Sequence, residues 1–490
     1  MAQGEEGKTG SHQSEHFELG MMGLGVMGSN LALNMSDHGF SVAGYDVNQL
    51  SCEHFKKEAQ GRDMQGFNQL KDFIVSLKKP RLVMLLIPAS AVDEAIHDLL
   101  PHLEKGDILI DGGNSHFIDT DRRAQAIEGQ GIRFLGVGVS GGEAGARIGP
   151  SMMPGGPKEA YERVRPIFEA ISAHVNQEPC VAYMGPGSAG HYVKMVHNGI
   201  EYGLMQLIAE SYDLLKSGLG LGNEEIGKIY SQWNHGRLNG FLMEITAEIF
   251  SQQEPKSGKP LLDLILDVAK QKGTGIWASE DSMKLRIPVP TIDTAVAMRD
   301  LSVFKKDRET LSKQLAGPQQ KYAGDRNKLI AQIEHALYVS MIMTYAQGMS
   351  LLRAASQTYN YHLNLSTIAK IWRGGCIIRS ALLEPIAQAY RKEPNLSTLL
   401  LDEHFKQEIS SIQVDLRQSV VKGIELGVPV PALSATLAYY DAYRRAWLPA
   451  NLIQAQRDYF GAHTYERVDE AGTFHTEWGQ TLKEQAYAHS

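Results

Sequence analysis

A glycine-punctuated turn near the N-terminus constrains this chain more than any other feature. Gly23, Leu24, Gly25, Val26, Met27 and Gly28 follow an apolar segment, Glu18–Met22, that reads as a strand, and they lead into a helical pattern over Ser29–His38. In a strand–turn–helix unit the first glycine permits the tight turn and the second lets the backbone approach a pyrophosphate. The third allows helix and strand to pack closely. A second strand, Ser41–Tyr45, runs into Asp46, Val47 and Asn48, about 20 residues past the glycines, where a ribose contact belongs. A carboxylate there suits the ribose hydroxyls of NAD and repels the 2′-phosphate of NADP; the simpler reading is that Asp46 caps a turn. Further short apolar runs, Arg81–Ile87, Asp107–Ile110 and Ile132–Gly136, alternate with helical patterns. This alternation predicts a parallel, doubly wound sheet, a Rossmann-type α/β domain over residues 17–187.

Beyond residue 187 the texture changes. Amphipathic helical patterns cover His191–Leu215, Asn239–Ser251, Leu261–Gln271, Leu329–Ala355 and Leu433–Ala446, and strand signals nearly vanish. A large all-helical domain over 188–446 follows, with the charged stretch 305–328 as a surface excursion. Residues 447–490 read as an extended tail with one short helix, Leu452–Tyr459, whose apolar and aromatic side chains suit docking on a second subunit. Residues 1–16 read as a disordered lead. With 490 residues, a net charge of −8 and three scattered cysteines, the chain has neither a general nucleic-acid surface nor a disulfide framework or metal-ligand spacing. Its apolar runs are too short to span a bilayer, so a soluble cytoplasmic protein is expected.

Two loops at strand ends offer small residues with free backbone N–H groups: Asp111–Ser115, which includes Asn114, and Gly138–Glu143, which includes Ser140, Gly141 and Gly142. Either alone is plain turn chemistry; at successive strand ends they line one pocket. The chemistry concentrates after Gly190. Lys194, His197, Asn198, Glu201 and Tyr202 fall at i, i+3, i+4, i+7 and i+8, on one helix face. Val193, Val196, Ile200 and Leu204 face the other way, so both sides meet protein or ligand. A lysine buried among polar groups can act as a base near neutrality, with a carboxylic acid two turns away as proton donor. The alternative is a buried Lys–Glu ion pair that only braces two domains. Lys272, Arg299, Arg457 and His463 are candidate anion binders, though each alone reads as a surface cation.

Together these segments resemble the decarboxylating 6-phosphogluconate dehydrogenase family in its long-chain homodimeric form. The likeness runs from Phe17 to Trp478 and rests on Gly23–Gly28, Asp111–Ser115, Gly138–Glu143, Lys194–Gly203, Trp372–Ser380 and Leu448–Glu466. It implies a homodimer whose C-terminal tail threads into the partner, with neither nucleic-acid nor membrane partners. It also implies oxidation of 6-phospho-D-gluconate by NAD or NADP to ribulose 5-phosphate and CO2. Lys194 would be the base and later the acid, and Glu201 the final proton donor. The substrate set would be Asn114, Ser140, Gly141, Gly142, His197, Asn198, Tyr202, Lys272 and Arg299, with Arg457 and His463 from the other subunit. Cofactor contacts would come from residues 23–28, from Asp46, Val47 and Asn48, from Ile87, Pro88 and Ala89, and from Asn114. Most of the family places Asn-Arg-Thr where this chain has 46–48, and Val-Lys-Ala where it has 87–89. Both departures remove a positive charge and one adds a negative charge, so a preference for NAD is expected. Competing readings are a β-hydroxyacid dehydrogenase of the 3-hydroxyisobutyrate type and a non-catalytic paralogue.

Overall fold

The alternating N-terminal segments form a seven-stranded sheet in this computed structural model, which describes residues 16–318 and 320–478. The lead over 1–16 lies outside them except for His16. Strands β1 (Leu19–Met22), β2 (Val42–Tyr45), β3 (Met64–Phe67), β4 (Leu82–Leu85), β5 (Ile108–Asp111), β6 (Arg133–Val139) and β7 (Met152–Gly155) lie in the order β3-β2-β1-β4-β5-β6-β7. The first six run parallel; β7 pairs antiparallel with β6, an edge that the alternation of strands and helices did not disclose. Helices α1 (Val26–Asp37), α2 (Gln49–Glu58), α3 (Leu70–Val75), α4 (Val92–Leu99), α5 (Phe117–Glu128), α6 (Gly142–Ile148) and α7 (Lys158–Ile171) pack on it. Successive strand residues point to opposite faces. Met84, Ile108 and Ile110 therefore join one core with Leu31 of α1 and Phe168 of α7, while Val83, Leu85 and Leu109 join another with Phe73 of α3 and Val92 of α4. Strand order reverses between β1 and β4, which opens a crevice at their carboxyl ends.

A short hairpin, β8 (His174–Val175) and β9 (Glu178–Pro179), precedes the helical region. That region holds α8 (Ala189–Asp213), α9 (Asn223–Asn234), α10 (Phe241–Ser251), α11 (Thr274–Lys284), α12 (Pro290–Val303), α13 (Lys305–Gln314), α14 (Arg326–Thr358), α15 (Leu365–Ile371), α16 (Leu383–Lys392), α17 (Glu403–Leu426) and α18 (Pro431–Tyr443). The 33-residue α14 begins where the Asp325 carboxylate accepts the N–H groups of Asn327 and Lys328, an N-cap. It lies against α8 closely enough that a Cβ on Gly348 would meet Ile200 at 2.5 Å.

The expected helix over Leu261–Gln271 is absent. Only a 3-10 turn forms, at Leu261–Leu264, and the segment runs on irregularly. Its leucines are largely exposed, so no buried face offsets the entropy that ordering a short helix costs. Hydrogen bonds fix it instead: Ala269 N–H donates to Ser302 Oγ, and Asp267 pairs with Lys305 and Arg308. The charged stretch 305–328 holds the exposed helix α13, none of whose residues is buried.

Among the described residues, the chain from Leu437 to Trp478 belongs to a compact unit of its own. It contains α19 (Ala450–Gly461) and a hairpin, β10 (Tyr465–Glu466) with β11 (Thr473–Phe474), which the reading as an extended tail did not include. Asp458 organises it, accepting from the N–H groups of Thr464 and Thr476 and from Trp478 Nε1, and facing His475 Nδ1 at 2.8 Å.

Candidate active site

At the β1 end of the crevice the glycines divide the work. Gly23 has φ +98°, and a Cβ there would lie 2.5 Å from the Leu86 carbonyl oxygen; on Gly28 it would lie 1.8 Å from that of Gly23. On Gly25, the residue that precedes α1, a Cβ would meet nothing within 4 Å. The outer side of the turn is thus open above a helix N-terminus, the cradle a pyrophosphate requires. Asp46 Oδ2 accepts the Leu24 N–H at 2.7 Å and Oδ1 accepts the Asn48 N–H at 2.8 Å. The turn-capping reading of Asp46 is therefore realised, yet an ionised carboxylate offers about four acceptor sites and two stay available for ribose hydroxyls. Val47 is 87% exposed, and Asn48 Oδ1 accepts the Leu50 N–H to cap α2. Ile87 and Ala89 are half-buried and Pro88 exposed, on the lip after β4.

The polar stripe of α8 is buried where it meets the sheet. Gly138 of β6 leaves room for Lys194: a Cβ there would fall 2.4 Å from that of the lysine. Gly190 similarly lets the helix backbone reach the carbonyl oxygens of Met153 and Gly136. Lys194 Nζ lies 3.5 Å from His197 Nδ1, which lies 3.1 Å from Asn198 Oδ1 and 3.8 Å from Glu201 Oε2. His197 Nε2 is 3.1 Å from Ser140 Oγ, at the end of β6, and the ring meets Trp372 edge-on.

Burial sets the charge states. It pushes the Lys194 ammonium below the ordinary lysine range, against the pull of Glu201. It pushes the Glu201 carboxyl up, against Lys194 and Arg299. It also holds His197 well below its usual value, with Lys194 acting in the same direction. His197 is therefore a neutral imidazole, one donor and one acceptor. Lys194 and Glu201 both shift toward their neutral forms, the direction that proton transfer at physiological pH calls for.

Other site residues converge on the far end of this face. The Arg299 guanidinium, from α12, stacks 3.5 Å over the Tyr202 ring. Gly275 of α11 lies against the same ring, where a Cβ would be 2.5 Å away, and the exposed Lys272 leads into that helix. Gly141, at φ +104°, touches the Gly375 carbonyl, while Gly142 and Asn114 are exposed on their loops. A cavity of about 800 Å³ opens beside Gly141, lined also by Phe241, Gly375, Cys376 and Arg379. Arg457 and His463 belong to the unit beginning at Leu437, both exposed; Arg457 donates to Gln454 Oε1.

Sequence reasoning missed Arg123, Asp93 and His191, which hold the loops after β4 and β5. Nothing in their spacing singles them out: Arg123 sits in a polar helix beside Arg122, and only the fold buries it.

Residues 18–185 match the family model described as the NAD binding domain of 6-phosphogluconate dehydrogenase, and residues 190–478 match that of its C-terminal domain. Over 463 residues the chain is 53% identical to the NADP(+)-dependent, decarboxylating 6-phosphogluconate dehydrogenase of Bacillus subtilis, covering 94% of this chain and 99% of the relative. It is 50% identical to the decarboxylating enzyme of Escherichia coli K12, with the same coverage. Among solved structures, 6-phosphogluconate dehydrogenase of Plasmodium falciparum, described apo, with NADP+ and with 6-phosphogluconate, superposes with a TM-score of 0.91. It is 45% identical, covering 94% of this chain and all of that one.

Proposed function

This chain belongs to the 6-phosphogluconate dehydrogenase family, and from that membership we propose how its own residues carry the reaction. It is an NAD(P)-dependent oxidoreductase acting on a CH–OH group, converting 6-phospho-D-gluconate to D-ribulose 5-phosphate and CO2 in the oxidative branch of the pentose phosphate pathway. The bound nicotinamide supplies the hydride acceptor for C3 of the substrate. Lys194, shifted toward its neutral form by burial, takes the proton of the 3-hydroxyl. Once protonated, it stands beside the new carbonyl oxygen and stabilises the charge that builds there as the C1–C2 bond breaks and CO2 leaves. Glu201, shifted toward its protonated form by burial, then protonates the enediol at the carbon that becomes C1 of the product. The observation that carries this reading is that the two groups lie two turns apart on one face of α8, each shifted toward its neutral form.

His197, Asn198, Ser140 and the Gly141–Gly142 backbone suit the sugar acid's hydroxyls and carboxylate. Tyr202, Lys272 and Arg299 suit its phosphate, with Arg457 and His463 of a second subunit completing the charge. We propose a homodimer with exchanged tails. Trp447, Leu452, Ile453 and Phe460 are all more than half exposed within one chain, more apolar surface than a monomer's tail ordinarily leaves in water. The corresponding domain division is 17–187, 188–446 and 447–490. Three buried free cysteines, and no described helix long and apolar enough to cross a membrane, fit a cytoplasmic enzyme.

For the cofactor we propose a preference for NAD. A 2′-phosphate would meet the Asp46 carboxylate, fixed by two backbone N–H groups, and the alkyl side chain of Val47. The name of the Bacillus subtilis relative favours the opposite. The test is formation of reduced cofactor from 6-phosphogluconate, followed by near-ultraviolet absorbance, with kcat/KM for NAD and NADP compared. No turnover with either would overturn the activity; a preference of about tenfold for NADP, about 1.4 kcal/mol, would overturn the cofactor assignment alone.

A further inference from the structure

We infer that Arg123 is a positioning residue for hydride transfer, setting the spacing between the loops after β4 and β5 and tying it to the helix that carries Lys194. The inference rests on the reading of Ile87–Ala89 and Asn114 as cofactor contacts. Arg123, in α5, is only 3% exposed at its side chain, and each of its five N–H donors has an acceptor. Nε and one Nη2 hydrogen go to the two oxygens of Asp93, both at 3.0 Å. The other Nη2 hydrogen goes to the Ala89 carbonyl at 3.1 Å, within the lip after β4. The Nη1 hydrogens go to Ser115 Oγ at 3.1 Å and Asp111 Oδ2 at 3.5 Å, at the two ends of the loop after β5.

That second loop is braced again from within. Ser115 Oγ donates to Asp111 Oδ2 at 2.6 Å, and the Gly113 N–H donates to Asp111 Oδ1 at 3.0 Å. The Asp111 backbone carbonyl faces His191 Nε2 at 3.0 Å, while His191 Nδ1 lies 2.7 Å from Thr120 Oγ1. With Nε2 donating to that carbonyl, Thr120 donates to Nδ1. His191 is fully enclosed and lies one turn before Lys194 on α8. A continuous set of hydrogen bonds thus runs from the β4 lip, through Arg123 and the β5 loop, to the helix of the proposed base.

Charge balance alone does not require this arrangement. Asp93 is half exposed and also pairs with Arg122, so a surface ion pair would have satisfied it. Burying a guanidinium is costly unless every donor is met, and here the remaining donors are spent on the two loops. A lysine would keep the charge but lacks the planar fork that reaches four acceptor groups at once. Misplacement of reacting groups by about 1 Å can lower a rate by about a hundredfold while leaving binding largely intact.

The test uses the full-length enzyme and the variants Arg123→Lys and Ser115→Ala, with 6-phosphogluconate carrying hydrogen or deuterium at C3. For Arg123→Lys we expect kcat to fall by about ten- to a hundredfold, the KM for 6-phosphogluconate to hold, and the deuterium isotope effect on kcat to rise because hydride transfer becomes more limiting. Ser115→Ala, which removes one arm and retains the Asp93 pair, should move both quantities the same way but less; it decides the matter if Arg123→Lys does not fold. A purely structural role lowers the fraction of folded enzyme without changing the isotope effect, so an unchanged isotope effect overturns the inference. So does a raised KM with an unchanged kcat. Absence of turnover by the unmodified enzyme would overturn both this inference and the function it rests on, whereas normal turnover with unaltered variants would overturn this inference alone.

Discussion

In the proposed reaction the glycine turn after β1 and the polar face of α8 act together, but they are built from opposite materials. The turn is backbone: its third glycine is enforced by a carbonyl 1.8 Å from where a side chain would begin, and its second faces open space. The α8 face is side chain, enclosed by the sheet on one side and by α11, α12 and α14 on the other, and its charge states depend on that enclosure. The contrast teaches where each function is vulnerable. A binding cradle made of backbone fails by steric intrusion; a proton-transfer set made of buried side chains fails by a change in solvation or in a neighbouring charge.

The largest expected effect breaks the second half of the contrast. Lys194→Ala should lower kcat by about 10²–10⁴-fold, the range for losing a general base, while the cofactor KM and the oligomeric state hold. Steady-state kinetics with sedimentation would check it, and a raised cofactor KM would show that the two regions are not separable. Gly25→Val attacks the first half. Because nothing lies within 4 Å of its Cβ position, Tm should stay unchanged while the cofactor KM rises by about tenfold or more, a loss of about 1.4 kcal/mol. Gly28→Val should instead lower Tm, since its Cβ has no space; equal Tm values for the two variants would undo the division of labour among the glycines.

Two smaller effects sharpen the account of burial. The Glu201 carboxylate favours the charged form of Lys194, so Glu201→Gln should lower the Lys194 pKa. The acid limb of the kcat/KM profile should then move to lower pH, in addition to a loss in kcat; a stationary limb would mean the pair is uncoupled. Farther along α8, Glu210 accepts the N–H groups of Ala432 and Leu433 at 2.8 and 2.9 Å, and burial pushes it from 4.5 to about 7. A carboxyl whose folded value is raised contributes stability that is full below its unfolded value and is lost as pH rises through the folded one. Tm of the unmodified protein should therefore fall between pH 4.5 and about 7 by an amount equivalent to about 1–3 kcal/mol, and Glu210→Gln should lack that component.

How much was legible follows from the range of the forces involved. The face shared by Lys194, His197, Asn198, Glu201 and Tyr202 is a consequence of helical period, so spacing along the chain exposes it. Leu261–Gln271 carries apolar spacing of the same sort and is not a helix, because no surface among the described residues buries its leucines. Arg123 reads as a surface cation beside Arg122 until the fold brings Ala89, Asp93 and Ser115 around it. The antiparallel β7 was missed for a related reason: strand direction at a sheet edge depends on the path of the intervening chain.

By itself the sequence determined the local geometry: a strand–glycine turn–helix at the start, Asp46 at the end of the second strand, and five polar groups on one helix face. These are set by bonds and hydrogen bonds a few residues long. Only the tertiary structure decided what those groups are chemically. Packing α8 onto β6 and β7 shifts Lys194 and Glu201 toward neutrality, and two loops meet around Arg123, where by our inference they position the cofactor. Solvation and long-range contact are properties of the assembled fold, and no spacing along the chain encodes them.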